Sequence, residues 1–446
     1  MAVRNDFVNV SYPGAARISP MTTPNASPSQ SLGFPQRYVI ALGYRDFMWI
    51  WLGSLGGHSA YWALIVARAV LVLEMTGSSA LVGITTFAAM VPRVVMPPFA
   101  GYMADRFDRR NILAGSYSLQ FVHAAVLAAL AFTDVLVIWH VIVLATFNGT
   151  VRTFQMAATQ SLVPNLVPRE HWLNAISLNQ ATPHGSRLFG PGLVAPALLL
   201  SGPSMAFLAS SLFYLLGVVG IMAIRTRSTG GLKKGDSIGA SLMEAARYAW
   251  GHPQIRTLFI IVALHCSMTM AFESMLPVYA RDVLGHGRAG VTYLMMGIGA
   301  GALVSVIIVA GIRDPVVRGR ILATSGVLSG AFMLALALST SPAFAVLAAG
   351  GMGASQAAFM ALSGAMVQAL APDAMRGRIS ALNQINVGGT MAMVNLANGF
   401  AADALGAPYL LTVLGLGFVG VMAGTLLVAT ARSFYRGDVL LPVRAR

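Results

Sequence analysis

The sequence predicts an all-α membrane protein, with twelve transmembrane helices in two six-helix, pseudo-symmetric halves. Three observations carry that prediction. Of 446 residues, 56% are hydrophobic and 10% are charged, whereas a soluble chain carries about a quarter charged residues. Apolar runs of roughly 20 residues recur, each long enough to cross a bilayer as a helix. A segment of the first half also repeats 204 residues later. In lipid the backbone has no water to bond, so such runs must satisfy their own N–H and C=O groups by folding as helices.

In chain order, residues 1–36 carry Pro13, Pro20, Pro24, Pro28 and Pro35 among Ser, Thr, Asn and Gly. This composition predicts a disordered tail, without the apolar core and cleavage site of a signal peptide. Spans are predicted at roughly 46–73, 80–101, 111–132, 135–160, 173–200, 204–224, 256–280, 290–311, 319–340, 343–368, 379–403 and 408–430. They divide into halves at 37–224 and 256–431, with a tail at 432–446. The linker 225–255 holds Gly230-Gly231, Lys233-Lys234 and an amphipathic stretch from Ile238 to Trp250. Its Leu242, Ala246 and Ala249 are expected to lie on the membrane surface.

A net charge of +14 suggests nucleic acid at first sight, but the basic residues fall between apolar segments. The tails, the linker and the even-numbered loops hold Arg106, Arg109, Arg110, Arg225, Lys233, Arg376 and most of the rest. The odd-numbered loops hold Arg281 and Arg288. That asymmetry places both termini in the cytoplasm, which requires an even number of spans, and makes membrane lipid rather than nucleic acid the partner. A single cysteine, Cys266, excludes an intrachain disulfide.

The repeat aligns 161–180 with 365–384 without gaps. Val163 matches Val367, Leu166 matches Leu370 and Pro168 matches Pro372. Leu178-Asn179-Gln180 matches Leu382-Asn383-Gln384. Both copies lead from a loop into an apolar segment, the fifth and eleventh spans. Transporters built from repeated halves carry their sites between the repeats, near the bilayer midplane.

Between the second and third spans lies Gly101-Tyr-Met-Ala-Asp105-Arg106-Phe-Asp108-Arg109-Arg110. It resembles the loop signature of the major facilitator superfamily, Gly-x-x-x-Asp-Arg-x-Gly-Arg-Arg/Lys, with Asp108 where the superfamily usually has glycine. Glu74-Met-Thr-Gly-Ser-Ser-Ala-Leu-Val-Gly83, Leu162-Val-Pro-Asn-Leu-Val-Pro-Arg-Glu170, Asn174-Ala-Ile-Ser-Leu-Asn179 and Arg376-Gly-Arg-Ile379 resemble its branch of enterobactin exporters and related secretion effectors. The resemblance covers about 40–435. It implies a transporter that rocks two halves around a central site. It also implies that Asp105 reaches the start of the eleventh helix near Ile379, where a helix N-terminus favours a carboxylate. Gly101 would permit that approach, and Arg109 and Arg110 would balance charge and meet lipid phosphates. Gly311 to Arg320 is a degenerate second copy. Gly190-Pro191, after Gly185, resembles the end of the antiporter motif in the fifth helix, where proline allows a bend.

Ionisable groups at membrane depth are costly and point to function. Besides His58, His123, His184 and His265, these are Arg68, Arg93, Arg152, Arg187 and Glu273. Arg68 and Arg93 are expected to extend towards opposite interfaces. The histidines are more often packing residues than ligands. Arg152 and Arg187 lie near mid-depth on the fourth and fifth spans, where they serve a substrate, a relay or a structural network. Glu273, four residues before Pro277, is the lone acid away from span ends. It would couple protons, anchor substrate or sit at the outer interface beside Arg281. Gln155 and Gln356 are candidates for the cavity lining. Metal-binding and nucleotide-binding motifs are absent, so no cofactor or metal is expected.

The expectation is therefore a secondary transporter, not an enzyme. It would be a proton-coupled exporter of a small organic, amphipathic or siderophore-like molecule, acting as a monomer in the plasma membrane. The alternatives are an uptake carrier or lysophospholipid flippase of similar fold, a membrane-embedded enzyme, or a non-transporting sensor.

Overall fold

A computed structural model describes residues 40–229, 238–312, 314–372 and 375–437. The tail 1–36, the Gly230-Gly231 and Lys233-Lys234 pairs and the last nine residues lie outside the described residues. Helices make up the fold, and no strand occurs among the described residues. In order they are α1 (Arg45–Thr76), α2 (Ser79–Val95), α3 (Pro97–Arg106), α4 (Arg109–Phe132), α5 (Ile138–Leu162), α6 (Trp172–Ser201), α7 (Pro203–Met222) and α8 (Ile238–Gly251). There follow α9 (Pro253–His265), α10 (Leu276–Asp282), α11 (Gly287–Gly311), α12 (Pro315–Ala337), α13 (Pro342–Leu370), α14 (Arg376–Leu405), α15 (Ala407–Thr425) and α16 (Ala429–Tyr435).

Seven of them, α1, α4, α7, α11, α12, α13 and α15, are long and apolar enough to cross a membrane, and the bent pair α2–α3 makes an eighth candidate. The pair turns by 53° at Met96, where Pro97 has no N–H to continue the helical bonds. Helices α5, α6 and α14 have the length, at 25, 30 and 30 residues. Polar residues lower their hydropathy, and of these Asn148, Arg152, Gln155, Asn395 and Asn398 are buried. Outward-facing positions are apolar, among them Val122 and Val126 of α4, Leu216 and Val219 of α7, and Ile307 and Ile308 of α11. Lipid tails are the surroundings that such faces match.

Helix ends follow from local chemistry. Asp108 caps α4 by accepting from Arg110 N at 3.0 Å, and Asp314 caps α12 by accepting from Val316 N and Val317 N at 2.7 and 3.2 Å. An aspartate supplies what an exposed first turn needs. Asp108, in the place usual for glycine, thus starts the following helix. Asp314, the residue before α12, does the same in the second half. Helices α6 and α14 run from 172 to 201 and from 376 to 405, so both their ends lie 204 residues apart. The sequence repeat is therefore also a repeat of structure.

Helices before residue 223 pack among themselves: α1 on α6 and α7, α4 on α5 and α7, and α5 on α2 and α3. Beyond residue 253, α11 packs on α13, and α12 on α13 and α15. Two large contacts join these groups, α2 with α14 and α6 with α11. The first depends on glycine. A Cβ on Gly83 would sit 2.9 Å from the Asn395 carbonyl, and one on Gly399 would sit 2.6 Å from the Ser79 carbonyl. Small residues at such crossings let two backbones touch.

The expected surface helix at 238–250 is present as α8, but it packs on α14. Ala245 and Ala249 are buried in one apolar cluster with Ile255 and Ile379, and Glu244 pairs with Arg378 at 2.8 Å. Of the expected surface residues, Ala249 thus meets protein, Leu242 and Ala246 are half-buried, and Met243 and Trp250 beside them stay exposed.

Candidate substrate and coupling site

The predicted seventh span is broken. After α9 comes a π-turn, Cys266–Met270, then a non-helical stretch, and helix resumes at Leu276. Irregular backbone at membrane depth needs partners for its freed polar groups. They come from two other helices. Gln356 of α13 donates to the Thr269 carbonyl at 2.5 Å. Asn398 of α14 donates to the Ala271 carbonyl at 2.7 Å, and Asn395 accepts from Ser274 N at 3.3 Å. Asn395 and Asn398 are absent from the sequence-level candidates. Their signal was there: two amides three residues apart share one face of an otherwise apolar helix.

Glu273 lies in this break and is 6% exposed. Three arginines, Arg187, Arg68 and Arg93, lie in electrostatic reach of it. Arg187 lies over the Trp62 ring, 4.6 Å from its centroid, and 5.8 Å from that of Phe272. Trp62 is held in turn by donating to the Pro183 carbonyl at 3.2 Å. Arg152 stacks on Tyr61, 3.5 Å from its centroid. Tyr61 and Trp62 thus present two adjacent aromatic faces to two cations. The charges of Arg187, Arg68 and Arg93 act on Glu273, yet none of the ion pairs among the described residues includes it. Arg152 Nη1 and Arg187 Nε are buried without a hydrogen-bond partner. So are the side-chain carbonyls of Gln155 and Gln356.

Arg187 of α6 reaches Phe272 and Glu273 across the contact between the two groups of helices, whereas Arg152 rests on Tyr61 within the first group and Gln356 bonds Thr269 within the second. Gln155 is buried one turn along α5 from Arg152. Arg68, expected to reach outwards, is buried instead, with Tyr61, Glu273 and Tyr214 in electrostatic reach. His58 is half-buried near Arg152, its Nδ1 donating to the Ser54 carbonyl at 2.8 Å. His265 is a packing residue, stacked on Phe359 at 4.2 Å and bonded to Ser329. Helix α6 is unbroken through Gly190-Pro191. There the glycine lets α6 meet the backbone of α1 at Ser59.

The two ends of the molecule differ. At one, Arg288 makes a bidentate pair with Glu74, at 2.6 and 3.0 Å. Close by, Asp403 of α14 caps the start of α2, accepting from Ser78 Oγ, Ser79 N and Ala80 N at 2.6, 2.6 and 3.0 Å. At the other end lies the loop motif. Asp105 is 54% exposed and 3.7 Å from Arg109, with no hydrogen bond to α14 among the described residues. The expected contact with Ile379 is therefore not made in this conformation. Ile379 is fully buried on its own side, and a Cβ on Gly101 would touch nothing. Arg109 and Arg110 are engaged by backbone carbonyls. Arg109 donates to the carbonyls of Ala104 and Ser161 and to Ser228 Oγ. Arg110 donates to the carbonyls of Ile221 and Met222, at the end of α7. Terminal carbonyls of a helix have no donor of their own, and cations suit them. Arg106 instead bonds Tyr102 at 2.6 Å, one turn back.

A family profile described as transmembrane secretion effector matches residues 41–433. Among curated relatives, the staphyloferrin A transporter of Staphylococcus aureus is 23% identical over 267 residues, 59% of this chain. That match spans 64% of the relative's own length, under two thirds. The multidrug efflux pump Tap of Mycolicibacterium fortuitum is 25% identical over 376 residues, covering 80% of this chain and 90% of that one. Macrolide efflux protein A of Streptococcus pyogenes is 26% identical over 149 residues, 33% of this chain and 37% of that one. Among solved structures, the nucleoside transporter NupG aligns with a TM-score of 0.70 at 10% identity, over 86% of this chain and 99% of that one. The peptide transporter POT aligns with the same score at 13% identity, over 88% and 95%. At such identities the structures speak for the fold alone. The profile spans nearly the whole chain, and the protein belongs to the transmembrane secretion effector family of major facilitator transporters.

Proposed function

We propose that this protein is a proton-coupled exporter of a small organic molecule, working by alternating access. In this reading twelve spans form two six-helix bundles, 37–224 and 256–431, joined by the 225–255 linker. Helices α9 and α10 together form the seventh span. The protein acts as a monomer in the plasma membrane with both termini in the cytoplasm. Its partners are its substrate and the surrounding lipid, with no nucleic acid and no cofactor.

The observation that carries the reading is Glu273: a buried carboxylate in a broken helix, near arginines, with no ion pair among the described residues to hold it in one state. An intramembrane acid so placed is suited to a proton relay, and discontinuous helices are where transporters of this build keep their sites. The end closed by Asp403 and Glu74–Arg288 is then the outer one. Asp105 lies at the opposite, cytoplasmic end and waits for the other state. Export is favoured by two relatives that are named as efflux proteins.

The test is transport in inverted membrane vesicles with an imposed proton gradient. Glu273→Gln is expected to abolish gradient-driven accumulation while keeping substrate exchange. Full, uncoupler-sensitive accumulation by the Gln variant would overturn the coupling role.

A further inference from the structure

We propose that the substrate site takes a small organic oxyanion, held by the guanidinium groups of Arg152 and Arg187. The proposal rests on the transport reading above and narrows its substrate class. It starts from the charges that face this region from every element around it. Arg68 comes from α1, Arg93 from the end of α2, Arg152 from α5 and Arg187 from α6, against the one carboxylate, Glu273. The remaining titratable groups nearby, His58, His184, Tyr61, Tyr117 and Tyr214, bring no second carboxylate.

A charge buried without a partner is expensive and is normally paired or removed. Here it is kept. Arg152 is 6% exposed with its Nη1 unbonded, and the Nε of Arg187 is unbonded too. Their guanidinium carbons lie over Tyr61 and Trp62, whose ring centroids are 5.6 Å apart, so the two unbonded donors are carried on neighbouring rings. Guanidinium donors in that arrangement match the oxygens of a carboxylate or phosphate, two at a time. Trp62 and Phe272, which flank Arg187, add apolar surface for the rest of an organic molecule. A cationic substrate would add a fifth positive charge opposite one acid, and a neutral one would leave the donors unmet.

Purified protein in detergent can be titrated with citrate, phenyl phosphate, the neutral ester trimethyl citrate and the cation tetraphenylphosphonium, at constant ionic strength. Thermal unfolding and tryptophan fluorescence report binding. Citrate or phenyl phosphate, or both, are expected to stabilise the protein saturably, which also separates carboxylate from phosphate recognition. Trimethyl citrate is expected to be silent. Arg152→Gln and Arg187→Gln should each weaken anion binding about tenfold or more, and Arg187→Lys less. Should the Gln variants fail to fold, the acid-against-ester comparison on the unaltered protein still decides.

Binding of the cation or the ester with no response to either anion overturns the proposal. So does anion binding that the folded Arg variants leave unchanged. If cationic dyes are pumped by inverted vesicles while anions do not bind, the anion proposal falls and transport stands. Anion binding through the arginines without any gradient-driven movement is the converse: it upholds the site and removes the exporter reading.

Discussion

Asp403 holds the first turn of α2 through Ser79. The carboxylate at the end of α14 accepts from Ser79 N at 2.6 Å, and its second oxygen accepts from Ser78 Oγ and Ala80 N. One side chain thus satisfies three donors across 324 residues of sequence. It does so at the start of a helix, where N–H groups lack partners and negative charge is favoured.

Asp403→Asn is therefore expected to loosen this end. A lost helix cap costs about 0.5–2 kcal/mol. Since the bonds join two groups of helices, that loss moves the equilibrium between closed and open states rather than folding alone. Spin labels at positions 75 and 405, in a Cys266→Ser background, should show a longer-distance population growing several-fold. An unchanged distance distribution would remove the latch role.

The Glu74–Arg288 pair should matter less. It is bidentate, but its side chains are 40% and 37% exposed, and exposed pairs are worth about 0.2–1 kcal/mol. Arg288→Gln is expected to give a smaller distance change than Asp403→Asn, and added salt should mimic it.

Gly399→Val tests the same contact sterically. Its new Cβ would sit 2.6 Å from the Ser79 carbonyl, well inside van der Waals contact. The variant should stay folded and monodisperse while favouring the separated state in the same spin-label measurement. A closed-state distance would show that the crossing has room to adjust.

Asn398→Ala probes the helix break. It strips the Ala271 carbonyl of its donor, and a buried unsatisfied polar group costs about 1–3 kcal/mol. Thermal unfolding in detergent should fall by several degrees, and more than for Thr412→Ala, whose hydroxyl bonds within its own helix.

Asp105→Asn separates two kinds of importance. The side chain is exposed, and its ion pair with Arg109 is long at 3.7 Å, so stability in this conformation should change by less than about 0.5 kcal/mol. Transport is expected to drop all the same, because the carboxylate is proposed to serve the other state. Normal transport at normal expression would leave it as an ordinary loop residue.

Much of the fold was legible because it is local. Length and apolarity mark a membrane helix, so predicted and observed bounds of α1, α4, α11 and α13 agree within a few residues. The match of α6 and α14 at a spacing of 204 accords with the Leu-Asn-Gln repeat at their seventh to ninth residues. The candidate site was legible in part: an arginine or glutamate inside an apolar run stands out by its cost alone. Gln356 was picked out as a lining residue. Its bond to the Thr269 carbonyl depends on a break in α9–α10 that the apolar run 256–280 conceals.

By itself, then, the sequence determined the class of protein, the places of its helices, the loop motif and the few charges within apolar runs. Each of these is a property of neighbouring residues and of what lipid demands of them. Only the tertiary structure decided that Asn395 and Asn398 stitch a broken helix and that Arg68 turns inward. It also decided that Arg109 and Arg110 serve helix ends and that Asp403, not Asp105, makes the contact in this state. Those outcomes depend on which helices touch, and pairs such as Ser274 with Asn395 or Ser79 with Asp403 lie 121 and 324 residues apart. Periodicity carries no information over such distances, whereas close helix crossings and the cost of unbonded polar groups settle them.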